Sequence, residues 1–454
     1  MRMKGELNRE FVDRLKEWIE KEASSEVKAM LDDMHPADIA EIMEELTLNE
    51  AKYLYLQLDG EMASDVLVEI PEDDRNRFLK VLPPDVIASQ FIEYMDSDDA
   101  ADVIGDLDEA MKEAVLREIE DKEQAGDIAD LLEYDDDTAG GLMAKELVKV
   151  NENWTVQTCL KEISVQSEEI DEIYYVYVVD DDHVLKGVLS LSKLIQKPTQ
   201  AKVLDIISED IHSVRTDAKQ EEVAQIMEKY DLVALPVVDH MGRLKGRITI
   251  DDVVDVIREE AERDYQMVSG ITGDVEPGDR VWHQTRARVP WLVVGTAGGL
   301  LGARVLGANA DTISHIPAMA FFIPLIAATA GNVGVQSSSI VVQSIASGSR
   351  GFDPVWKKLL KELAVGMVTA VFFSVVILVY NLLFSDHLQL TLAVSVTLFT
   401  VILFASMSGT IIPLLLNKMK IDPALATGPF ITTINDILGL LLYMLVARAF
   451  FGMI

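Results

Sequence analysis

The sequence predicts a multidomain protein in which two soluble modules precede a membrane domain: an all-α helical domain, an α/β domain pair, and five transmembrane helices. Three observations predict it. Hydrophobicity is lopsided and concentrates after Pro290. A strand–turn–strand–helix phrase occurs twice, 59 residues apart. The first 135 residues carry only short helical patterns broken by proline. The expected boundaries are an acidic helical domain at 1–135, the α/β pair at 138–250, an acidic connecting helix and linker at 251–280, and the membrane domain at 285–454.

Charge follows the same division. From Thr285 onward there are ten Lys/Arg and six Asp/Glu, a net of +4, whereas the preceding 284 residues hold 30 and 70, a net of −40. Phosphate recognition needs a basic face, so this excludes a nucleic-acid partner. Clustered carboxylates instead focus a potential that attracts cations. Cys159 is the only cysteine, so no intrachain disulfide can form and a reducing compartment fits. The segment Met1 to Ala23 is charged and amphipathic and lacks the apolar core of a signal peptide, so the acidic half is expected in the cytosol.

In the first domain the phrases Asp38-Ile-Ala-Glu-Ile-Met-Glu-Glu-Leu46, Asp99-Ala-Ala-Asp-Val-Ile-Gly-Asp-Leu107 and Asp127-Ile-Ala-Asp-Leu-Leu132 each open on an acid read as a cap. Pro36, Pro71 and Pro83-Pro84 separate them, giving a solenoid-like stack of short helices.

In the second domain, Val176 to Leu194 matches Leu235 to Val253, each with an acidic turn, Asp180-Asp-Asp-His183 and Asp239-His-Met-Gly242. Tandem copies of this kind resemble a CBS-domain pair, an α/β module that commonly dimerises and regulates an attached transporter or enzyme.

The connecting helix is read from Asp251 to Asp264. Asp251, Asp255, Glu259 and Glu262 fall within one sector of about 80° at 100° per residue, with Asp252, Glu260 and Asp264 nearby. Like charges at this spacing weaken a helix, and bound divalent cations would relieve them; the plainer alternative is a solvated face. Glu61, Asp98, Asp99 and Asp102 are candidates for a facing acidic wall. Gly270 to Gly278 reads as a break.

Five apolar segments follow, near 289–308, 316–346, 363–384, 388–416 and 423–450, each about the length needed to cross a bilayer. Arg280, Arg286 and Arg288 precede the first; Arg350, Lys357, Lys358 and Lys361 lie between the second and third; Lys418 and Lys420 lie between the fourth and fifth. The other loops carry Asp311, His315, Asp386 and His387. The positive-inside rule then places the N-terminal domains in the cytosol and the C-terminus outside, with Arg304 and Arg448 running against it. The expected location is the plasma membrane, the inner membrane of a bacterium, in contact with lipid.

No GxxxxGK[ST] loop or Asp-Lys-Thr-Gly phosphorylation motif is present, so the chain is expected to be no enzyme and to power no transport by itself. One acid, Asp436, lies deep in apolar sequence, and it is expected to face a polar interior rather than lipid. The alternative is an Asp protonated or hydrogen-bonded between helices. Pro423, Gly428-Pro429 and Gly439 loosen that segment and free carbonyls. The second segment contains Ala328-Thr-Ala-Gly-Asn-Val-Gly-Val-Gln-Ser-Ser-Ser339, read either as close helix packing or as an oxygen-rich pore lining. Oxygen-only ligands suit a hard cation, and one carboxylate among hydroxyl, amide and carbonyl groups suits hydrated Mg²⁺. The competing readings are a membrane-anchored sensor, and a carrier for another solute; an anion pathway would favour Arg or Lys at the span centres, which lack them.

The order of domains, together with Pro324-Leu-Ile-Ala-Ala-Thr-Ala-Gly-Asn-Val-Gly-Val-Gln336 and Asp422-Pro-Ala-Leu-Ala-Thr-Gly-Pro-Phe-Ile-Thr-Thr-Ile-Asn-Asp436, resembles the MgtE family of magnesium channels, which has relatives among animal solute carriers. The resemblance covers nearly the whole chain. It implies a homodimer with a pore between subunits that admits Mg²⁺ into the cell. It implies hydrated Mg²⁺ at Asp436, with Asn332, Gly428, Thr432 and Asp422 as further candidates. It also implies Mg²⁺ bridging of the cytosolic domains onto the connecting helix, through Glu61, Asp98, Asp99, Asp102, Asp251, Asp252, Asp255, Glu259, Glu260 and Glu262, which closes the pore. Some members bind ATP in the CBS pair; its ligands are not matched in this chain. Where many members read Gly-Gly-Asn-Thr-Gly-Asn-Gln, this chain reads Ala330-Gly-Asn-Val-Gly-Val-Gln336, and Gly428 replaces a polar residue. These departures leave selectivity among Mg²⁺, Mn²⁺, Co²⁺ and Ca²⁺ open.

Overall fold

The computed structural model describes residues 9–32, 34–167, 170, 172–208, 211–273, 275, 279–346, 354–384, 387–426 and 428–452. Arg350, Asp386, residues 1–8 of the N-terminal segment, and residues 274 and 276–278 of the expected break lie outside them. The chain forms two compact units, Met1–Arg258 and Glu259–Ile454.

The first unit opens with short α-helices, among them Pro36–Glu44, Leu48–Tyr55, Gly60–Glu69, Ser97–Gly105, Glu109–Glu118 and Lys122–Leu131. Side chains satisfy several of their first amides: Asp59 accepts from Met62 N, Asp108 from Met111 N, and Asp121 from Glu123 N and Gln124 N. The acids expected as caps sit elsewhere. Asp38 and Asp99 lie in the first turn, and Asp127 lies deeper in its helix; His35, Asp96 and Asp121 hold the cap positions. Both locations favour an acid, one through side-chain bonds and the other through the helix dipole, so the sequence alone does not separate them. Leu15, Ile39, Leu54, Leu67, Ile87 and Ile104 are fully buried between the helices. Tyr55 packs edge-on against Phe91 at 5.1 Å, and its hydroxyl donates to the carbonyl of Ala63.

Two three-stranded sheets follow. In each, the first pairing is parallel and the second antiparallel: β1 (Val148–Asn151), β2 (Val176–Val179), β3 (Leu185–Leu189), then β4 (Val214–Arg215), β5 (Ala234–Val238), β6 (Leu244–Thr249). The 59-residue offset holds to the atom at the turns. Asp180 Oδ1 accepts from Asp182 N and Val184 N, as Asp239 Oδ1 does from Met241 N and Arg243 N. His183 and Gly242, at matching places, both take positive φ, 63° and 80°. The helix that follows β6 runs Ile250–Val268, longer than the expected 251–264.

Among the described residues the second unit contains five helical segments long and apolar enough to cross a membrane: Val281–Ala308, Pro317–Ile345, Val355–Phe384, Leu388–Lys418 and Pro429–Phe450, named here the first to fifth spans. The first and third begin earlier than expected and take in Arg286, Arg288, Lys357, Lys358, Lys361 and Glu362. Helical hydrogen bonding does not end where apolar sequence ends, so a hydropathy boundary falls inside the helix. The fifth begins later, at Pro429, after a separate 3-10 turn at Pro423–Ala426. The fourth span is central and the most buried of the five. Small residues let the helices approach. A Cβ on Gly439 would stand 3.2 Å from Ala330 Cβ, and one on Gly298 would stand 2.0 Å from Thr433 Cγ2.

Candidate functional site

The fifth span carries Asp436 against the second span. A Cβ on Gly331 would lie 3.0 Å from Thr432 Cγ2 and 3.3 Å from Asp436 Oδ1, so glycine is what lets the acid and its neighbour one turn back reach the second helix. Asp436 and Thr432 are half-buried, and Asn332, next to Gly331, is exposed. Among the described residues no hydrogen bond or ion pair occupies the Asp436 carboxylate.

The expected ligands Gly428 and Asp422, just ahead of this span, have structural duties. The Gly428 carbonyl accepts from Thr432 N at 3.1 Å and from Thr432 Oγ1 at 2.9 Å, starting the helix. Asp422 Oδ1 accepts from Ala424 N at 2.8 Å and caps the 3-10 turn. Asp422 also faces Asp264 near the end of the connecting helix. Burial first, and the Asp422 charge second, raise the Asp264 carboxyl above its ordinary value, while Arg263 opposes them.

The sequence reading missed Glu362 on the third span. Its Oε1 accepts from Ser337 Oγ of the second span and Ser406 Oγ of the fourth, both at 2.6 Å. Its signal was hidden because it sits at an apolar boundary among lysines.

The first unit holds a second cluster. Asp98, Asp99 and Asp102 on helix Ser97–Gly105 converge on Asp252 at the start of the connecting helix. Burial, then Asp99, Asp252 and Asp96, push the Asp98 carboxyl well above the usual range. Burial and Asp252 push Asp99 up to about 7. Asp102 rises through burial against the pull of Arg75, although its side chain lies on the solvent rim, where water screens it. Asp252 is raised by burial, while Thr249 N and Oγ1, donating to its Oδ2 at 3.0 and 2.6 Å, pull it down.

Glu146, also missed, completes the wall. It accepts from Ser97 N and Ser97 Oγ, and carboxylate oxygens of Asp96, Asp98 and Glu146 lie within 4.8 Å of one another. Nothing in the sequence pairs a residue of the 144–147 segment with a helix start some fifty positions earlier. The counter-charges are Arg75, 2.9 Å from Asp106, and the buried Arg247, 3.7 Å from Asp96. Asp98, Asp99 and Asp252, whose proton affinity burial raises, are short of positive charge, and a hard divalent cation fits such an all-carboxylate cluster.

Asp251, Asp255, Glu259 and Glu262 are all exposed along the connecting helix. Glu260, half-buried, pairs with Arg263 at 2.8 Å. Glu61 is exposed in the first turn of Gly60–Glu69, on a different helix from the Asp98 group.

Comparison with known proteins gives this geometry a family. Residues 323–446 match the family model described as the MgtE divalent cation transporter, 34–137 match the MgtE intracellular N domain, and 139–198 and 203–259 match CBS domains. The magnesium transporter MgtE of Thermus thermophilus is 33% identical over 443 residues, covering 96% of this chain and 97% of that protein.

The chain belongs to the MgtE family.

A second MgtE, from Bacillus subtilis, is 32% identical over 93% of both chains. A crystal structure of the cytosolic domain of the Mg²⁺ channel MgtE in complex with ATP matches 54% of this chain and 99% of that one, at 34% identity and a TM-score of 0.51. The three-part organisation expected from the sequence is thus that of an MgtE protein, with an intracellular helical domain, a CBS pair and a multi-pass membrane domain.

Proposed function

We propose that this MgtE chain passes Mg²⁺ into the cell down its electrochemical gradient, and that Mg²⁺ on its cytosolic face closes the path. The observation that carries the reading is the placement of Asp436: a half-buried carboxylate in an apolar span, opposite Gly331, whose chain neighbour Asn332 is exposed. Inward movement gains a divalent ion about 4–5 kcal/mol per 100 mV of membrane potential. Mg²⁺ sheds water reluctantly, so a single carboxylate with amide and hydroxyl groups around it holds the hydrated ion loosely enough to release it. The exposure of Asn332 on one chain favours a homodimer in which a second copy completes the path.

The cytosolic half supplies the sensor. The buried Asp98–Asp99–Asp252 cluster is costly to hold ionised without a counter-ion. Mg²⁺ bound there favours the compact arrangement, and this shifts the equilibrium only because the open arrangement lacks the site. ATP is a candidate ligand of the CBS pair, supported by the relative crystallised with it. Purified protein in liposomes tests the proposal: Mg²⁺ influx is expected with low internal Mg²⁺ and should stop as internal Mg²⁺ rises. Flux indifferent to internal Mg²⁺ contradicts the sensor role, and no flux contradicts the transport role.

A further inference from the structure

We propose that Asn435 is a positioning residue that sets the direction in which Asp436 points, through a buried hydrogen bond to Ser408 and a notch at Gly334. This rests on the reading of Asp436 as the acid of the ion path. Asn435 is 1% exposed, whereas its neighbour Asp436 is half-buried. Ser408 Oγ on the fourth span donates to Asn435 Oδ1 at 2.7 Å, and Ala405 O, 3.0 Å away, competes for the same proton. On its other side the carboxamide lies over Gly334 of the second span. A Cβ there would stand 1.8 Å from Asn435 Nδ2. The fourth span closes the notch, since a Cβ on Gly409 would stand 2.4 Å from the Gly334 carbonyl oxygen.

An amide is an expensive choice for this place. Among the described residues its Nδ2 is buried with no hydrogen-bond partner, and a buried donor left unsatisfied is destabilising. An apolar side chain would fill the space without that cost. What the amide adds is direction: a bond to one hydroxyl on one helix fixes the rotation of the fifth span. Successive residues are about 100° apart around a helix. Locking Asn435 into the seam between the second and fourth spans therefore turns Asp436, and Thr432 on the same face, toward Gly331.

Groups that orient a metal ligand from behind typically change metal affinity or activity by about 10–100-fold when removed. In liposomes containing the full chain, Asn435→Ala is expected to raise the Mg²⁺ concentration for half-maximal flux about tenfold or more. Ser408→Ala should shift it the same way. The Asn435→Ala/Ser408→Ala pair should be no worse than Asn435→Ala alone, because both cut one bond. Mere space-filling predicts otherwise: Ser408→Ala silent, and Gly334→Ala/Asn435→Ala restored by the added methyl. Either of those results overturns the proposal, as does wild-type half-saturation in folded Asn435→Ala. If Asn435→Ala does not fold, an unchanged half-saturation in Ser408→Ala overturns it alone. Asp436→Ala in parallel separates the two readings. Its failure to conduct beside an unaltered Asn435→Ala rejects only the positioning role, whereas wild-type flux in Asp436→Ala rejects the ion path at Asp436.

Discussion

Gly428, at the start of the fifth span, lies so close to the end of the connecting helix that a Cβ on it would stand 2.3 Å from the carbonyl oxygen of Val268. Gly428 also takes φ of +52°. Two residues on, Gly270 makes a matching approach to Pro429, with a Cβ distance of 2.6 Å to its Cγ. The connecting helix thus ends against the backbone that launches the helix bearing Asp436.

Gly428→Ala brings both a clash and a strained φ, worth about 1–3 kcal/mol. It is expected to lower the thermal stability of the membrane unit by that order and to weaken closure by internal Mg²⁺. Liposome flux against internal Mg²⁺ checks the second effect; an inhibition curve identical to wild type contradicts the coupling.

The Asp98–Asp99–Asp252 cluster gives a pH dependence with a definite sign. The packed state raises Asp99 from an ordinary 3.8 to about 7. Its protonated form therefore favours packing below about pH 4, and that support is lost as pH rises toward 7. Mg²⁺ must displace those protons, so its affinity for the cytosolic half should fall as pH drops from 8 to 6 (roughly, a window bracketing the Asp99 value). Protease protection of the full chain, titrated with Mg²⁺ at each pH, measures it. A pH-independent midpoint contradicts the assignment.

Asp252→Asn keeps the shape of the side chain that caps Thr249 but removes one of the repelling charges. Without Mg²⁺ the variant should resist unfolding better than wild type, by on the order of 1 kcal/mol. With Mg²⁺ it should gain less. Calorimetry of the full protein with and without Mg²⁺ reads both, and a Mg²⁺ gain equal to wild type counts against Asp252 as a ligand.

Glu362→Ala leaves the buried hydroxyls of Ser337 and Ser406 without their shared acceptor, at a cost of about 1–3 kcal/mol. Glu362→Gln retains a carbonyl oxygen and should cost less. Melting of the detergent-solubilised protein ranks the two variants; equal melting points show that the carboxylate does not join the three spans.

Much of this was legible in the sequence for physical reasons. The repeated Asp–turn geometry at Asp180 and Asp239 is local, because each acid bonds amides two and four residues on, so a sequence offset reveals it. Asp436 was legible because a carboxylate is costly among apolar residues wherever the chain folds. Glu146 was not, since its meeting with Asp96 and Asp98 depends on a tertiary approach. Asn435 was hidden behind its charged neighbour; its importance lies in Ser408 and Gly334, on two other helices.

The acid row of the connecting helix offers a test of gating separate from the path itself. Neutralising Asp255, Glu259 and Glu262 together should keep the protein open at internal Mg²⁺ levels that shut the wild type. Recording from excised patches decides it, and closure at the wild-type concentration contradicts the row's role.

Mg²⁺ flux into liposomes through Asp436→Asn, compared with wild type in the same preparation, tests the central claim most directly. The substitution keeps the shape of the side chain and removes its charge. The account predicts that flux nearly vanishes while the protein keeps its fold and assembly state. Wild-type flux through folded Asp436→Asn would show that the carboxylate at the meeting of the second and fifth spans does not carry the ion.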